Sequence, residues 1–197
     1  MKVLCLDLEG VLIPEIWQAV AGRTGLDALN KTTRDIPDYD ELMQFRMRVL
    51  RENDLAFTMI REVIDGVEPL AGAREFLDWA RQRFQVAIVS DTFYEFAMPL
   101  MAKLGWPVLL CHRARIEDDR LAGYTLRQSD PKRSAVRAFQ SLNMSVVAAG
   151  DSYNDIPMLE QADAGYFYRA PANVRSEFPR FRAAENYTVL KSLLESG

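Results

Sequence analysis

Cysteine and histidine are scarce in this chain of 197 residues, which has two cysteines and one histidine. Cys5, Cys111 and His112 are too few, at these spacings, for a zinc-type cluster. Both cysteines stand inside apolar runs, where a free thiol behaves as a small hydrophobic side chain. We therefore expect a reducing compartment and no disulfide framework.

Long apolar runs and an excess of positive charge are also missing. Asp7 and Glu9 interrupt the first apolar run, which argues against a signal peptide, and no run approaches the length of a membrane span. The 24 Lys and Arg against 28 Asp and Glu leave a formal net charge of −4, which argues against nucleic acid or an anionic membrane as a partner. The hydrophobic fraction of 49% is enough for a core, so we expect a soluble, cytoplasmic protein.

The remaining pattern alternates strands with helices. Helical periodicity fills most segments between the apolar runs, and weak alternation over 114–127 indicates a small hairpin or a ragged edge strand. This order predicts an α/β fold with a doubly wound, mostly parallel sheet. The predicted core strands are 3–6, 86–90, 108–111, 146–149 and 164–168.

Residues 14–68 depart from that alternation, because helical stretches at 14–25, 39–52 and 57–67 follow one another without a strand. Asp38 is placed to cap the second of them. The sequence therefore predicts a small helical-bundle cap at 14–68, inserted directly after the first strand. The α/β catalytic core would then consist of 1–13 and 69–197.

Two carboxylates follow the first strand. Because residues two apart on a strand point to the same side, Asp7 and Glu9 can both project at its carboxyl edge, and Gly10 lets the backbone turn tightly beside them. Ligands of open parallel sheets bind at that edge. Acids that simply reach solvent are the plainer interpretation of a lone D-x-E pattern. Two carboxylates held at a ligand-binding edge cost desolvation free energy, which is hard to explain unless they bind a cation or take part in a reaction.

Further polar residues follow two later strands and open one helix: Ser90 with Asp91, Asp151 with Asn154 and Asp155, and Lys132. The carboxylates suit a hard cation such as Mg²⁺, and a hydroxyl with an ammonium group suits a phosphoryl group. A lysine in a first helical turn opposes the helix dipole, which indicates an anion nearby. The set predicts phosphoryl transfer through an aspartyl-phosphate, although Ser90, Asn154 and Asp155 also suit helix capping.

The order of these segments resembles a known family. DLEGV at 7–11, IVSD at 88–91, DPK at 130–132 and GDSYND at 150–155 are similar to the four motifs of the haloacid dehalogenase-like phosphatases. The helical insertion resembles the cap of the phosphoserine phosphatase branch. DLEGVLIPE, RDIPDYD and SDTFYEF are most similar to members of that branch that also act as homoserine phosphotransferases.

The resemblance implies a role for each matching residue of the core. Asp7 would be the nucleophile and a Mg²⁺ ligand. Glu9 would be the general acid and then the base, with its backbone carbonyl on the metal. Ser90, the amide of Asp91 and Lys132 would hold the phosphoryl oxygens.

The resemblance also implies which other residues would bind the metal, the phosphate and the rest of the substrate. Asp151 would bind Mg²⁺ directly, Asp155 directly or through water, and Asn154 would contact the phosphate or the nucleophile. From the cap, Glu15 would bind the amino group of the substrate. Arg48 would bind its carboxylate by a bidentate fork, with Arg46 as the alternative.

The sequence departs from the family pattern at two positions. Glu9 stands where the family has an aspartate, and its extra methylene could favour an acceptor alcohol over water. Asp91 stands where the family has a small residue. Its carboxylate adds negative charge near the phosphate unless the side chain turns away.

Together these features predict a Mg²⁺-dependent enzyme that acts on phosphoserine, with homoserine as a possible acceptor. Another small phosphomonoester is an alternative substrate, and a phosphoaccepting receiver-like signalling domain is an alternative of another class. A non-catalytic anion-binding module would leave the set of acids as an unexplained stability cost. We interpret His112 as a structural or surface residue.

Overall fold

Seven strands form one sheet in the computed structural model, which describes residues 1–32, 35–36 and 38–196. All neighbouring strands pair in parallel except β3 and β4, in the order β4-β3-β2-β1-β5-β6-β7 given the ranges below. The predicted doubly wound, mostly parallel α/β sheet is therefore confirmed. The strands are β1 (Lys2–Leu6), β2 (Gln85–Phe93), β3 (Val108–Glu117), β4 (Arg120–Thr125), β5 (Ser145–Gly150), β6 (Ala164–Tyr168) and β7 (Arg182–Ala184).

Helices connect and cover these strands. Short 3₁₀ helices lie at Asp27–Asn30 and Tyr153–Asp155. No helix of the described ranges is long and apolar enough to cross a membrane. The α-helices are α1 (Ile16–Thr24), α2 (Tyr39–Glu52), α3 (Phe57–Asp65), α4 (Ala73–Arg81), α5 (Tyr94–Lys103), α6 (Pro131–Ser141), α7 (Ile156–Gln161), α8 (Ala172–Glu177) and α9 (Tyr187–Ser196).

The core lies on both faces of the sheet. Successive side chains of β1 alternate, so that Leu4 and Leu6 join one buried cluster and Val3 and Cys5 join another. The first cluster includes buried side chains of α1, α3, α4, α5 and α9, and the second includes those of α6, α7 and α8. A parallel sheet needs this cover on both faces, which explains the continuous apolar runs of its central strands.

The inserted helices α1 to α3 occupy the stretch where the sequence has no strand pattern. Helix α2 begins where predicted, because the Asp38 side chain accepts a hydrogen bond of 2.8 Å from the Glu41 amide. Buried residues of α1 and α3 share a cluster with Phe96 of α5. The division between a core and a cap at 14–68 stays a prediction. Arg34 and Pro37 of the RDIPDYD stretch lie outside the described residues.

Of the two alternatives predicted for 114–127, the structure has the hairpin, whose first strand β3 also includes the strand predicted at 108–111, and the hairpin contacts the insertion. Strands β3 and β4 meet at Asp118 and Asp119, both with positive φ (47° and 57°), as the two-residue turns typical of hairpins require. The Asp119 carboxylate accepts hydrogen bonds from the Thr58 amide (2.9 Å) and hydroxyl (2.8 Å). The N-cap residue of α3, Ala56, makes no side-chain cap bond, so the hairpin caps this helix from a distance in sequence.

We expect Asp119→Ala to lower the free energy of unfolding by about 1 kcal/mol more than Asp118→Ala does, because only the first removes a helix cap. Both residues have positive φ, so the backbone strain of alanine is common to the two variants. Urea unfolding measures the difference. Equal losses would contradict the assigned cap.

Candidate active site

The carboxyl ends of β1, β2 and β5 meet at one edge of the sheet. The strand order changes direction here, because the chain passes from β1 to β2 and β3 on one side of β1 and later forms β5 and β6 on its other side. A cavity of about 940 Å³ opens there. Its lining includes these sequence-predicted residues: Asp7, Glu9, Glu15, Arg46, Ser90, Asp91, Lys132, Asp151 and Asn154.

Lys132 is a buried cation at the centre of the carboxylates of this site. Its side chain is 2% exposed, and Nζ lies 2.5 Å from Asp155 Oδ1, 3.1 Å from Asp7 Oδ2 and 3.8 Å from Asp91 Oδ2. Burial alone would lower the pKa of Lys132, but the Asp155, Asp7 and Asp91 carboxylates outweigh it and raise this pKa well above its usual value. The lysine therefore stays charged and holds carboxylates from β1, β2 and the segment after β5 together.

Asp155 is fully buried and is not among the residues that line the cavity. Its Oδ2 accepts hydrogen bonds from the amides of Asp151 (2.9 Å) and Ser152 (3.0 Å), while Oδ1 faces Lys132. With Ser152 it forms a capping box at the 3₁₀ helix Tyr153–Asp155. The capping box serves this 3₁₀ helix, whereas the Asp155 side chain makes no cap bond to α7, the helix from Ile156 that the sequence left it open to cap.

Three carboxylates form a candidate metal centre. Oxygen atoms of Asp7, Asp151 and Asp155 lie within 4.8 Å of one another, a hard donor set that suits Mg²⁺. The pKa of Asp7 is raised well above its usual value, mainly by burial and next by repulsion from the Asp155 carboxylate, although Lys132 acts in the opposite direction. A divalent cation among these oxygens would offset that desolvation and repulsion.

Gly10 allows the first loop to approach this centre. Its φ is 75°, and a Cβ built on it would stand 2.5 Å from Asp151 Oδ2. A side chain here would therefore both strain the backbone and displace a candidate metal ligand.

Glu9 joins the catalytic edge to the insertion. Its Oε2 accepts a hydrogen bond of 2.8 Å from the Ile16 amide at the start of α1. Burial, with a smaller contribution from the Glu15 carboxylate, raises the pKa of Glu9 to about 8, against the Ile16 hydrogen bond and Arg46. A carboxyl group that keeps its proton near neutral pH can act as a general acid.

Asp91 is held by several partners. Its Oδ2 accepts a hydrogen bond of 2.8 Å from Asn154 Nδ2, and its Oδ1 lies 3.4 Å from His112 Nε2. Burial raises the pKa of Asp91, but Lys132 and hydrogen bonds from His112 and Asn154 outweigh it and lower this pKa to about 2. The side chain is therefore an ion directed toward these partners.

Ser90 belongs to β2 and does not cap a helix. Its hydroxyl accepts from the Thr92 amide at 3.3 Å, whereas α5 begins only at Tyr94. The strand is longer than predicted, and its pairing with β3 shifts register between Val89 and Phe93. This irregular stretch carries Ser90 and Asp91.

The two candidate arginines of the insertion differ in position. Arg46 is buried at the cavity, where its guanidinium lies 4.7 Å from the centre of the Trp17 ring and Nη2 donates to the Lys31 carbonyl (2.9 Å). Arg48 is exposed, lies over Phe45 and is absent from the cavity lining. Two residues correspond to about 200° around a helix, so both cannot face the same cavity. These positions favour Arg46 over Arg48 as the candidate for contact with a substrate in the cavity.

Comparison with known proteins agrees with this geometry. A profile of the haloacid dehalogenase-like hydrolases matches residues 1–163. The chain is 60% identical to "Phosphoserine phosphatase ThrH" of Pseudomonas aeruginosa, over 97% of this chain and 94% of that protein. It belongs to the haloacid dehalogenase-like hydrolase family. The predicted enzyme class is thus confirmed, and a receiver-like signalling domain is excluded.

Other relatives of this hydrolase carry related names. A "Phosphoserine phosphatase" of Pseudomonas syringae pv. tomato is 56% identical over 97% of this chain and 81% of that protein. The solved structure described as "Phospho-Aspartyl Intermediate Analogue of Phosphoserine phosphatase" superposes with a TM-score of 0.82 at 20% identity, covering 97% of this chain and 98% of that one. At that identity the superposition supports the shared fold alone.

Two residues of the hydrolase site were missed by the sequence analysis. His112, interpreted as structural or surface, lies beside Asp91, and Tyr39 donates a hydrogen bond of 2.8 Å from its hydroxyl to the Asp91 carbonyl. Both also line the cavity. The available signals were weak: Tyr39 lies in the RDIPDYD stretch, and His112 directly follows an apolar run.

Replacing the buried cation tests its structural role. We expect Lys132→Met, measured by urea unfolding with a chelator present, to lower the free energy of unfolding by about 3–5 kcal/mol, because it leaves buried carboxylates uncompensated. The neighbouring Arg133→Met removes only partly exposed ion pairs with Asp130 and Glu160 and should cost less than about 1 kcal/mol. Similar losses for the two variants would contradict this account.

Proposed function

We propose that this hydrolase is a Mg²⁺-dependent phosphoserine phosphatase that forms an aspartyl-phosphate on Asp7 and also transfers the phosphoryl group to homoserine. The observation that carries the proposal is the position of Asp7 Oδ2, 3.1 Å from buried Lys132, in a cavity that also receives Arg46 and Glu15 from the insertion. The names of the two Pseudomonas relatives support the phosphatase activity and its substrate. The assignment of homoserine as a phosphoryl acceptor rests on the motif resemblance alone.

The first half of the reaction uses Asp7 and Glu9. A carboxylate oxygen of Asp7 attacks phosphorus, the bond between phosphorus and the serine oxygen breaks, and Glu9 gives its proton to the departing alkoxide. The carboxylates of Asp7, Asp151 and Asp155 and the backbone carbonyl of Glu9 would hold Mg²⁺, which when bound neutralises negative charge around the phosphoryl group.

The second half regenerates the enzyme. Glu9, now ionised, removes a proton from water or from the homoserine hydroxyl, and that oxygen attacks phosphorus. The bond to Asp7 breaks, which releases phosphate or phosphohomoserine. During both halves Ser90, the Asp91 amide, Asn154 and Lys132 would hold the phosphoryl oxygens.

Arg46 and Glu15 would identify the amino acid. The Arg46 Nε atom is buried without a hydrogen-bond partner among the described residues, and this unpaired donor would suit a substrate carboxylate. Glu15 lies at the N-cap position of α1 without a side-chain cap bond and lines the cavity, where its carboxylate suits an ammonium group. We assign both to the proposed cap at 14–68.

The nucleophile is tested by Asp7→Asn. Phosphate release from phosphoserine with Mg²⁺ should fall by about 10³-fold or more, because an amide cannot form the covalent intermediate. Asp78→Asn, the same change at an exposed position on α4, should leave turnover unchanged. A chelator should abolish turnover of the wild type.

The same assay with homoserine tests the acceptor. Phosphohomoserine formed at the expense of phosphate supports the transferase activity, whereas phosphate release unaffected by homoserine leaves a plain phosphatase. Turnover of an aryl phosphate without turnover of phosphoserine would keep the chemistry and reject the substrate.

The substrate-binding arginine is tested by Arg46→Lys with Arg48→Lys as its matched control. The loss of a bidentate contact to carboxylate should raise the KM for phosphoserine about 10- to 100-fold in the first variant. The second variant should resemble the wild type, because Arg48 is exposed outside the cavity. An aryl phosphate lacks the carboxylate, so an equal loss with that substrate would indicate that Arg46 only supports the fold.

A further inference from the structure

His112 stands in the cavity wall in a fixed orientation. It is 2% exposed, and Nδ1 accepts a hydrogen bond of 3.1 Å from the Arg127 amide. Because a backbone amide can only donate, Nδ1 carries no proton, and the proton of a neutral imidazole is on Nε2. That nitrogen lies 3.4 Å from Asp91 Oδ1. The ring therefore connects a backbone position after β4 to the Asp91 carboxylate.

The Asp91 carboxylate needs such a restraint. It follows Ser90, lies 3.8 Å from Lys132 Nζ and accepts from Asn154, and these three residues are proposed to hold the phosphoryl group. A phosphate dianion and a carboxylate repel each other strongly where water is excluded. If the side chain rotated freely, its negative charge could take the place of a phosphoryl oxygen beside the lysine.

The two oxygens of Asp91 have separate partners. Oδ2 is held by Asn154, a residue that would itself bind phosphate, and Oδ1 faces His112. The Asp91 carbonyl is fixed by Tyr39, whose ring meets the His112 ring edge-on with centroids 5.9 Å apart. When phosphate competes for Asn154, the contact that remains specific to the carboxylate is the one from His112.

We propose that His112 is a positioning residue, which holds the Asp91 carboxylate through Nε2 so that a phosphoryl group, and not this carboxylate, takes the place beside Ser90 and Lys132. The inference rests on the proposed phosphoryl site and not on the identity of the substrate. It therefore applies to any phosphomonoester that this hydrolase accepts.

Two substitutions separate this role from a purely structural one. His112→Gln carries an amide nitrogen near the position of Nε2 and can still donate to Asp91. His112→Asn places its amide oxygen near the position of Nδ1 and can still accept from the Arg127 amide, but it has no donor that reaches Asp91. If His112 only supports the backbone at Arg127, the asparagine variant should keep the phosphate affinity of the wild type. If it acts through Asp91, the glutamine variant should keep that affinity instead.

The measurements are the inhibition constant of inorganic phosphate and the KM and kcat for p-nitrophenyl phosphate, with Mg²⁺ present. We expect His112→Asn to raise the inhibition constant and KM about tenfold with little change in kcat, and His112→Gln to stay within about twofold of wild type. Adding Asp91→Ala to His112→Asn should remove most of that loss. A glutamine variant as impaired as the asparagine variant, two variants that match wild type, or no rescue by Asp91→Ala would overturn the proposal.

A second measurement needs no variant. His112 is the single histidine of the chain, so its imidazole signals in a ¹H–¹⁵N spectrum need no assignment. The proposal requires an unprotonated Nδ1 and a protonated Nε2, and a proton on Nδ1 would overturn it. Because p-nitrophenyl phosphate and inorganic phosphate are the probes, a wild type inactive on phosphoserine would reject the proposed substrate and leave this test intact.

Discussion

The contact between buried Lys132 and its carboxylates is the interaction on which the site depends. Asp7 follows β1, Asp91 belongs to β2, Asp155 follows β5, and the lysine comes from the first turn of α6. Each carboxylate alone would be costly to bury, and together they repel one another. One ammonium group at short distances compensates them and joins the segments that carry them. Since a cation in a first helical turn opposes the helix dipole, the carboxylates must also compensate its position.

Two of these carboxylates, Asp7 and Asp155, also belong to the candidate metal centre. Lys132 contacts one oxygen of Asp7 and one of Asp155. The Asp151 carboxylate supplies the third oxygen donor of the candidate metal centre. The backbone amides of Asp151 and Ser152 already occupy one oxygen of Asp155, which fixes its direction. The loop after β1 approaches because Gly10 has no side chain. The donor set is therefore pre-organised by hydrogen bonds and close packing.

What the sequence could predict follows from the range of the interactions. The central strands β1, β2, β5 and β6, the hairpin, the Asp38 cap and the motif segments depend on neighbours within a few positions, and these were predictable. The cap that Asp119 gives to α3 joins residues 61 positions apart, and local patterns contain no trace of it. The choice between Arg46 and Arg48 required the orientation of α2 about its axis, and the role proposed for His112 required the position of Asp91. The strand β7, with three residues, is too short for a periodic signal.

Two hydrogen bonds couple the insertion to the chemistry at the sheet edge. The Ile16 amide, at the start of α1, holds the Glu9 carboxyl group, and the Tyr39 hydroxyl, at the start of α2, holds the Asp91 carbonyl. A displacement of these helices away from the sheet would break both bonds, so it would release the proposed general acid Glu9 and the proposed phosphoryl-binding residue Asp91 at the same time. Arg46 lies on α2 as well, and it reaches the cavity only while that helix stays in place. Under the proposed function, the contacts to the amino acid and those that orient the reacting groups would therefore depend on the same position of α2, and proton transfer at Glu9 would require the insertion to stay against the sheet edge.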